Sequence, residues 1–231
     1  MKKYLIVLLV FASLIMQSQN VIRKGVSRYI KGQIVLVDGT IKKGYINLPK
    51  RIVKQNIKFI ESKDSEVEKI KTNNIDYYTV TSNLGKTYRF ECHYLDLNKN
   101  ATSHRVSKYK ASFLVQTKGY ITLYKTGTSY KIDNDGTVYV FAEAAAGTSA
   151  SAAFIYYIKK KNVDYVEFFV YEGAGSILSP ISRESLVSSM EKHLPGYPQL
   201  IKDVKTKKIS KLDISFIIDS YNKFMKKKGV K

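Results

Sequence analysis

The chain has 231 residues, of which 44% are hydrophobic and 25% charged, with 13 Gly and 4 Pro. These fractions exclude long disorder, collagen-like repeats and a coiled-coil rod, and leave one domain or two small ones. Its 39 basic residues against 19 acidic ones give +20, carried almost wholly by lysine, while a single Cys excludes an intramolecular disulfide and a Cys-based zinc site.

Lys2 and Lys3 precede an apolar run from Tyr4 to Met16 that only Ser13 interrupts. A run of this length suits the h-region of a signal peptide and is too short to cross a bilayer as a helix. We therefore expect residues 1–18 to be a signal peptide cleaved after Ser18. The mature chain is expected in the periplasm or outer cell envelope, without a transmembrane span. No Cys follows the run, so lipid attachment is not expected. Cys92 then meets an oxidising compartment without a partner, which points to a buried, inert thiol.

Within a β-rich domain expected over residues 19–178, the apolar pattern from about Lys31 to Tyr171 is mostly period two, the mark of strands with one buried face. Ile34 to Val37 and Ile41 to Ile46 flank Asp38-Gly39, a dipeptide that suits a tight hairpin because both residues tolerate positive φ. A second pair, Ile75 to Thr81 and Lys86 to Leu95, turns at Asn83-Leu84-Gly85. There Tyr88, Phe90, Cys92 and Tyr94 share one face, and Thr87, Arg89, Glu91 and His93 the other. A third pair, Ala111 to Gln116 and Tyr120 to Lys125, turns at Lys118-Gly119. Asp135-Gly136 precedes a strand over Val138 to Phe141, and Phe154 to Ile158 and Val163 to Tyr171 complete the set. The Ala-rich stretch 142–153 has no period and reads first as a surface loop, with a short helix or a small-residue surface approached by another backbone as the alternatives. This β-rich domain divides, if at all, near 19–100 and 101–178.

From residue 179 to 231 the period becomes helical. Ser182 is placed to cap a helix with the stripe Leu186, Val187, Met190 and Leu194, stapled by Ile181. Pro198 opens a short helix carrying Leu200, Ile201 and Val204. Ser210 with Asp213 resembles a capping box ahead of Ile214, Ile217, Ile218, Tyr221 and Met225, an amphipathic stripe. The expected fold class is α+β: mainly antiparallel β, as a meander, sandwich or partly closed barrel, followed by a small C-terminal helical segment.

The run from Lys31 to Ile46 resembles the opening of an uncharacterised family of exported β-rich proteins from Bacteroidota, in which a similar hairpin follows a signal peptide. Residues 56–59, 74–77 and 118–124 are similar to later strands of that family, and residues 194–200 and 220–222 to its helical end. Its members often carry Cys where Tyr197 stands. The resemblance implies a β-rich body, a helical end and an envelope location, and it implies no reaction.

Motifs that carry chemistry are scarce. None of His93, His104 and His193 has a second His or Cys at metal-ligand spacing. Cys92 and His93 are neighbours on a strand and so point to opposite faces, leaving Cys92 inside and His93 exposed. Asp133-Asn134-Asp135-Gly136 fails the EF-hand register, because the first ligand position is Lys131 and the twelfth Ala142. Gly173-Ala174-Gly175 lacks the third glycine of a dinucleotide loop. Glu61, Asp64, Glu66 and Glu68 alternate with Lys63, Lys69 and Lys71 and read as a solvated turn. No cofactor, metal or catalytic residue is implied. A hydrolase whose carboxylates converge only in space is the alternative to a non-enzymatic binding or structural module.

Lysine excess is the remaining clue. Residues 202–231 hold ten Lys and three Asp. Lys159, Lys160 and Lys161, with Lys226, Lys227 and Lys228, are the candidate partner-binding residues, facing an envelope protein, a glycan or another anionic polymer. Sequence-specific nucleic-acid binding is not expected, because base recognition relies on the bidentate guanidinium of Arg.

Overall fold

The computed structural model describes residues 20–98, 105–142, 153–173, 181–209 and 212–229. The expected signal peptide lies outside the described residues, as do most of the Ala-rich stretch, Ala174-Gly175, His104 and Ser210.

Thirteen strands precede three helices among the described residues. The strands are β1 (Val21–Lys24), β2 (Ser27–Leu36), β3 (Ile41–Asn47), β4 (Asn56–Ile60), β5 (Glu68–Lys71), β6 (Ile75–Thr81), β7 (Thr87–Leu95), β8 (Ala111–Thr117), β9 (Ile121–Thr126), β10 (Ser129–Ile132), β11 (Val138–Phe141), β12 (Ala153–Lys160) and β13 (Tyr165–Gly173). The helices are α1 (Arg183–His193), α2 (Pro198–Lys205) and α3 (Ile214–Lys227). Eleven strands form one sheet in the order β13-β12-β9-β8-β7-β6-β2-β3-β4-β5, with β1 beside β2, and β10-β11 is a separate hairpin. Neighbours along this order run antiparallel. β13 also returns to β7 in parallel, through Tyr165 beside Tyr94 and Val166 beside Leu95, so β7, β8, β9, β12 and β13 close into a small barrel. The protein is thus mainly antiparallel β with a small C-terminal helical part. It combines two of the expected forms, a meander and a partly closed barrel.

Turn chemistry explains the hairpins. Gly39, Gly85 and Gly136 all take positive φ, and the Asp38 carboxylate accepts from the Thr40 N–H at 2.9 Å, which fixes the tight turn. Three short strands are not legible in the sequence. β5 has one inward residue, Ile70, too little alternation to stand out from the charged stretch read as a solvated turn. β1 and β10 have four residues each.

β7 faces two cores. Tyr88, Phe90 and Cys92 join Ile30, Ile34, Tyr78, Tyr130 and Val138 in the core beneath the open half of the sheet, where the β10-β11 hairpin covers it. Tyr78 stacks on Phe90 at 4.8 Å between ring centroids, and Tyr130 meets Phe90 edge-on at 5.0 Å. Tyr94 is half-buried, outside this cluster, because β7 has by then turned to pair with β13. The opposite face of β7 lines the barrel, whose interior holds Phe113, Tyr124, Tyr157 and Val166. His93 accordingly is half-buried against Tyr124 rather than exposed, at 5.6 Å between rings. Two-sided burial is the physical reason: from Phe90 to Cys92 the strand is shared by two cores and is buried on both faces.

Cys92 is 1% exposed, and burial pushes its thiol up to about 12. Cys92→Ser is expected to cost about 1–3 kcal/mol by burying a hydroxyl without a new partner, measured by chemical denaturation. Alkylation of the native wild-type thiol at neutral pH should be slow; rapid labelling would contradict its burial.

A third core lies between the outer faces of β9, β12 and β13 and the three helices. It joins Ile121, Leu123, Ile158 and Phe169 to Leu186, Met190, Leu200, Ile217 and Ile218. The Ser182 hydroxyl accepts from the Ser185 N–H and caps α1, and Ile181 and Leu186 are both buried beside it. Helix α3 begins later than the sequence pattern indicates. Its cap is Asp213, whose carboxylate accepts from the Phe216 N–H at 3.1 Å, in place of Ser210. Asp is as good an N-cap as Ser, and a start at Ile214 puts the first apolar residue directly on the core.

Candidate functional site: a lysine-lined cleft beside the barrel

Helix α3 is fastened to the β8-β9 turn by two side chains one turn apart. The Asn222 side chain accepts from the Ile121 N–H at 2.8 Å and donates to its C=O at 2.9 Å, occupying both backbone groups of one strand residue. Asp219 accepts a hydrogen bond from the Thr117 hydroxyl. The turn permits this approach because residue 119 is glycine. A Cβ there would lie 2.4 Å from Asn222 Cγ, far inside van der Waals contact. Gly119→Ala is therefore expected to loosen the α3 clamp and cost about 1–3 kcal/mol, read as a lower denaturation midpoint. Asn222→Ala made in the Gly119→Ala background should recover part of that loss.

This clamp, with the β12-β13 turn, frames a cleft of about 510 Å³ lined by Lys118, Tyr120, Lys161, Asp219, Lys223 and Lys226. Four lysines thus converge from three elements, against one carboxylate that Thr117 already engages. Of the six candidate lysines, the cleft unites Lys161 and Lys226. Lys160 lies 3.5 Å from Glu167 and is neutralised there. Lys159 sits within β12 opposite Thr122 of β9, Lys227 is exposed, and Lys228 lies over the Phe224 ring at 4.7 Å. Lys118 and Lys223 were not singled out by sequence. The signal was present for Lys223, three residues before Lys226 and so on the same helical face. Lys118 lies on a turn whose neighbours only the tertiary structure reveals.

Lys118 connects the cleft to the buried charge of the barrel. Its ammonium lies 2.6 Å from Glu91 Oε1, which also accepts from Arg89 Nε at 2.8 Å. Glu91 Oε2 accepts from the Tyr124 hydroxyl at 2.7 Å and lies 3.2 Å from His93 Nε2. Burial alone raises the Glu91 carboxyl, but its contacts with His93, Lys118, Tyr124 and Arg89 outweigh this and hold it well below the usual carboxylate range. Burial, reinforced by the Glu91 charge, pushes the Tyr124 hydroxyl up. Glu167 repeats the pattern: His193 Nδ1 at 3.0 Å lowers its carboxyl to about 2 against the opposing effect of burial, with Lys160 adding to the lowering. Both glutamates therefore stay ionised near neutrality, a state suited to structural ion pairing and unsuited to donating a proton.

The acidic cluster read from the sequence lies around the β4-β5 hairpin, exposed, with Glu68 3.0 Å from Lys42. Among the described residues no group of three or more His, Cys, Asp or Glu side chains is placed to hold a metal ion, and no helix is long and apolar enough to cross a membrane. No family model matches this chain, and neither the curated proteins nor the solved structures yield a match to it.

Proposed function

We propose that this chain is an exported, non-enzymatic binding module of the cell envelope, and that its cleft holds an acidic glycan or similar anionic polymer. The observation that carries the reading is the convergence of Lys118, Lys161, Lys223 and Lys226 on one cleft, where Lys161, Lys223 and Lys226 have no counter-ion among the described residues. Like charges gathered at a concave surface raise the local potential and favour a polyanion that spans several of them at once. Lysine heads are hydrated point charges, which suits diffuse carboxylate or sulfate recognition better than base readout. The family resemblance and the N-terminal apolar run support an envelope location. The ion-paired state of Glu91 and Glu167 supports a binder over a hydrolase.

Fluorescence anisotropy with a labelled polygalacturonate, in 20 and 300 mM salt, tests the reading. The wild type should bind, with affinity falling as salt rises. Replacing Lys161, Lys223 and Lys226 by Ala should weaken binding about 10- to 100-fold, since each exposed ion pair is worth up to about 1 kcal/mol. Replacing Lys159, Lys227 and Lys228 should change it far less. Equal loss in both triple variants, or equal binding of neutral dextran, would refute a site at the cleft.

A further inference from the structure

A second pocket, separate from the cleft, lies where the β7-β8 ladder ends. The β7-β8 ladder ends at Phe90 beside Leu114. Beyond that pair, β7 stays with β6, as Thr79 pairs with Arg89 and Val80 with Tyr88. β8 instead follows β9 through a register shift that leaves Gln116 out of the ladder. The two strands splay, and the fork between them is a pocket of about 500 Å³. Its apolar wall is formed by Val115, Val138, Val140 and Phe154, and its polar rim by Lys86, Arg89, Gln116 and Tyr139.

Three observations specify what fits. First, the lining contains Lys86, Arg89 and Lys125 and no carboxylate. Arg89 commits its Nε to Glu91 and Lys125 commits its ammonium to Glu172 at 3.0 Å, so Lys86 is the cation left without a counter-ion among the described residues. Second, Tyr88 is 7% exposed and its hydroxyl is buried with no hydrogen-bond partner, while Lys86 lies 5.0 Å from the centre of its ring. A buried hydroxyl without a partner is costly, and a ligand oxygen that reaches it relieves that cost. Third, three valines and a phenyl ring are part of the lining and offer contact to hydrocarbon.

We infer that the fork between β7 and β8 binds a small organic anion with an apolar body, its head at Lys86 and the Tyr88 hydroxyl and its hydrocarbon against Val115, Val138, Val140 and Phe154. Calorimetric titration of the purified protein with octanoate tests this, with octanol and acetate as the partners lacking charge or hydrocarbon. Octanoate should bind at one saturable site, and each partner about tenfold more weakly or worse. Lys86→Ala, at an exposed turn position, should abolish the preference for octanoate over octanol. Tyr88→Phe should weaken octanoate severalfold while leaving the unliganded melting temperature unchanged or raised, because it deletes a hydroxyl that bonds to nothing. The Lys161, Lys223 and Lys226 variants should bind octanoate normally. Absence of octanoate binding, equal affinity for octanol, or wild-type behaviour of both Lys86→Ala and Tyr88→Phe overturns the inference.

Discussion

Ile218→Ala is expected to destabilise the protein by about 2–4 kcal/mol, the cost of removing a fully buried branched side chain from a packed core. Ile218 is 0% exposed, as are its neighbours Ile217, Leu186, Met190 and Leu194. The core they share spans three helices and three strands, so the space left behind has little freedom to collapse from any one side. Chemical denaturation should show a lower midpoint with an unchanged slope. A variant with the wild-type midpoint would mean that the stripe of α3 faces a partner, and that its packing against Ile121, Leu123 and Ile158 is wrong.

Glu91→Gln is expected to cost about 2–3 kcal/mol, less than the roughly 3–5 kcal/mol for breaking a fully buried ion pair. The cost is smaller because Arg89 and Lys118 are 33% and 51% exposed and can return to water, whereas Glu91 itself is only 9% exposed. The same substitution should flatten the acid limb of the stability curve. Glu91 is held below its ordinary value of 4.5 in the fold, so it stabilises fully above that value and progressively less as pH falls beneath it. Glu167 contributes a second loss, running from about 4.5 in the unfolded chain to about 2 in the fold. Wild-type stability should therefore drop from about pH 5 downward, more steeply than that of Glu91→Gln. Parallel curves for the two proteins between pH 5 and pH 3 would show that Glu91 is not held as described.

Elements that obey a local rule were legible, and those that exist only through tertiary contact were not. Asp38-Gly39 and Lys118-Gly119 announced hairpins because turn geometry is settled within four residues. The Ile214 to Tyr221 stripe announced a helix because its period repeats within one face. The parallel pairing of β13 with β7 has no such signature: Tyr94 and Tyr165 lie about seventy residues apart, and neither carries a mark of the other. That pairing decides that Glu91 is buried, so strand alternation placed Glu91 and His93 correctly on a shared face while assigning that face to solvent. The cleft was half legible for the same reason. The lysine runs at 159–161 and 226–228 stand out in the sequence, but only turn geometry and the Asn222 clamp select Lys161 and Lys226 from them and add Lys118 and Lys223.

The position of β7 has a consequence for how the chain comes apart. β7 borders β6, β8 and β13 and contributes side chains to two cores. A fragment ending at residue 98 would keep the strand but strip one edge of its ladder and one face of its packing. Such a bare, apolar edge templates pairing with any other chain. A fragment beginning at residue 105 would hold a barrel with one stave missing. Neither half is then a self-sufficient folding unit, and the two fragments mixed together should recover solubility that each lacks alone. Hydrogen exchange should find its slowest amides in β7, since opening them requires both halves to yield at once.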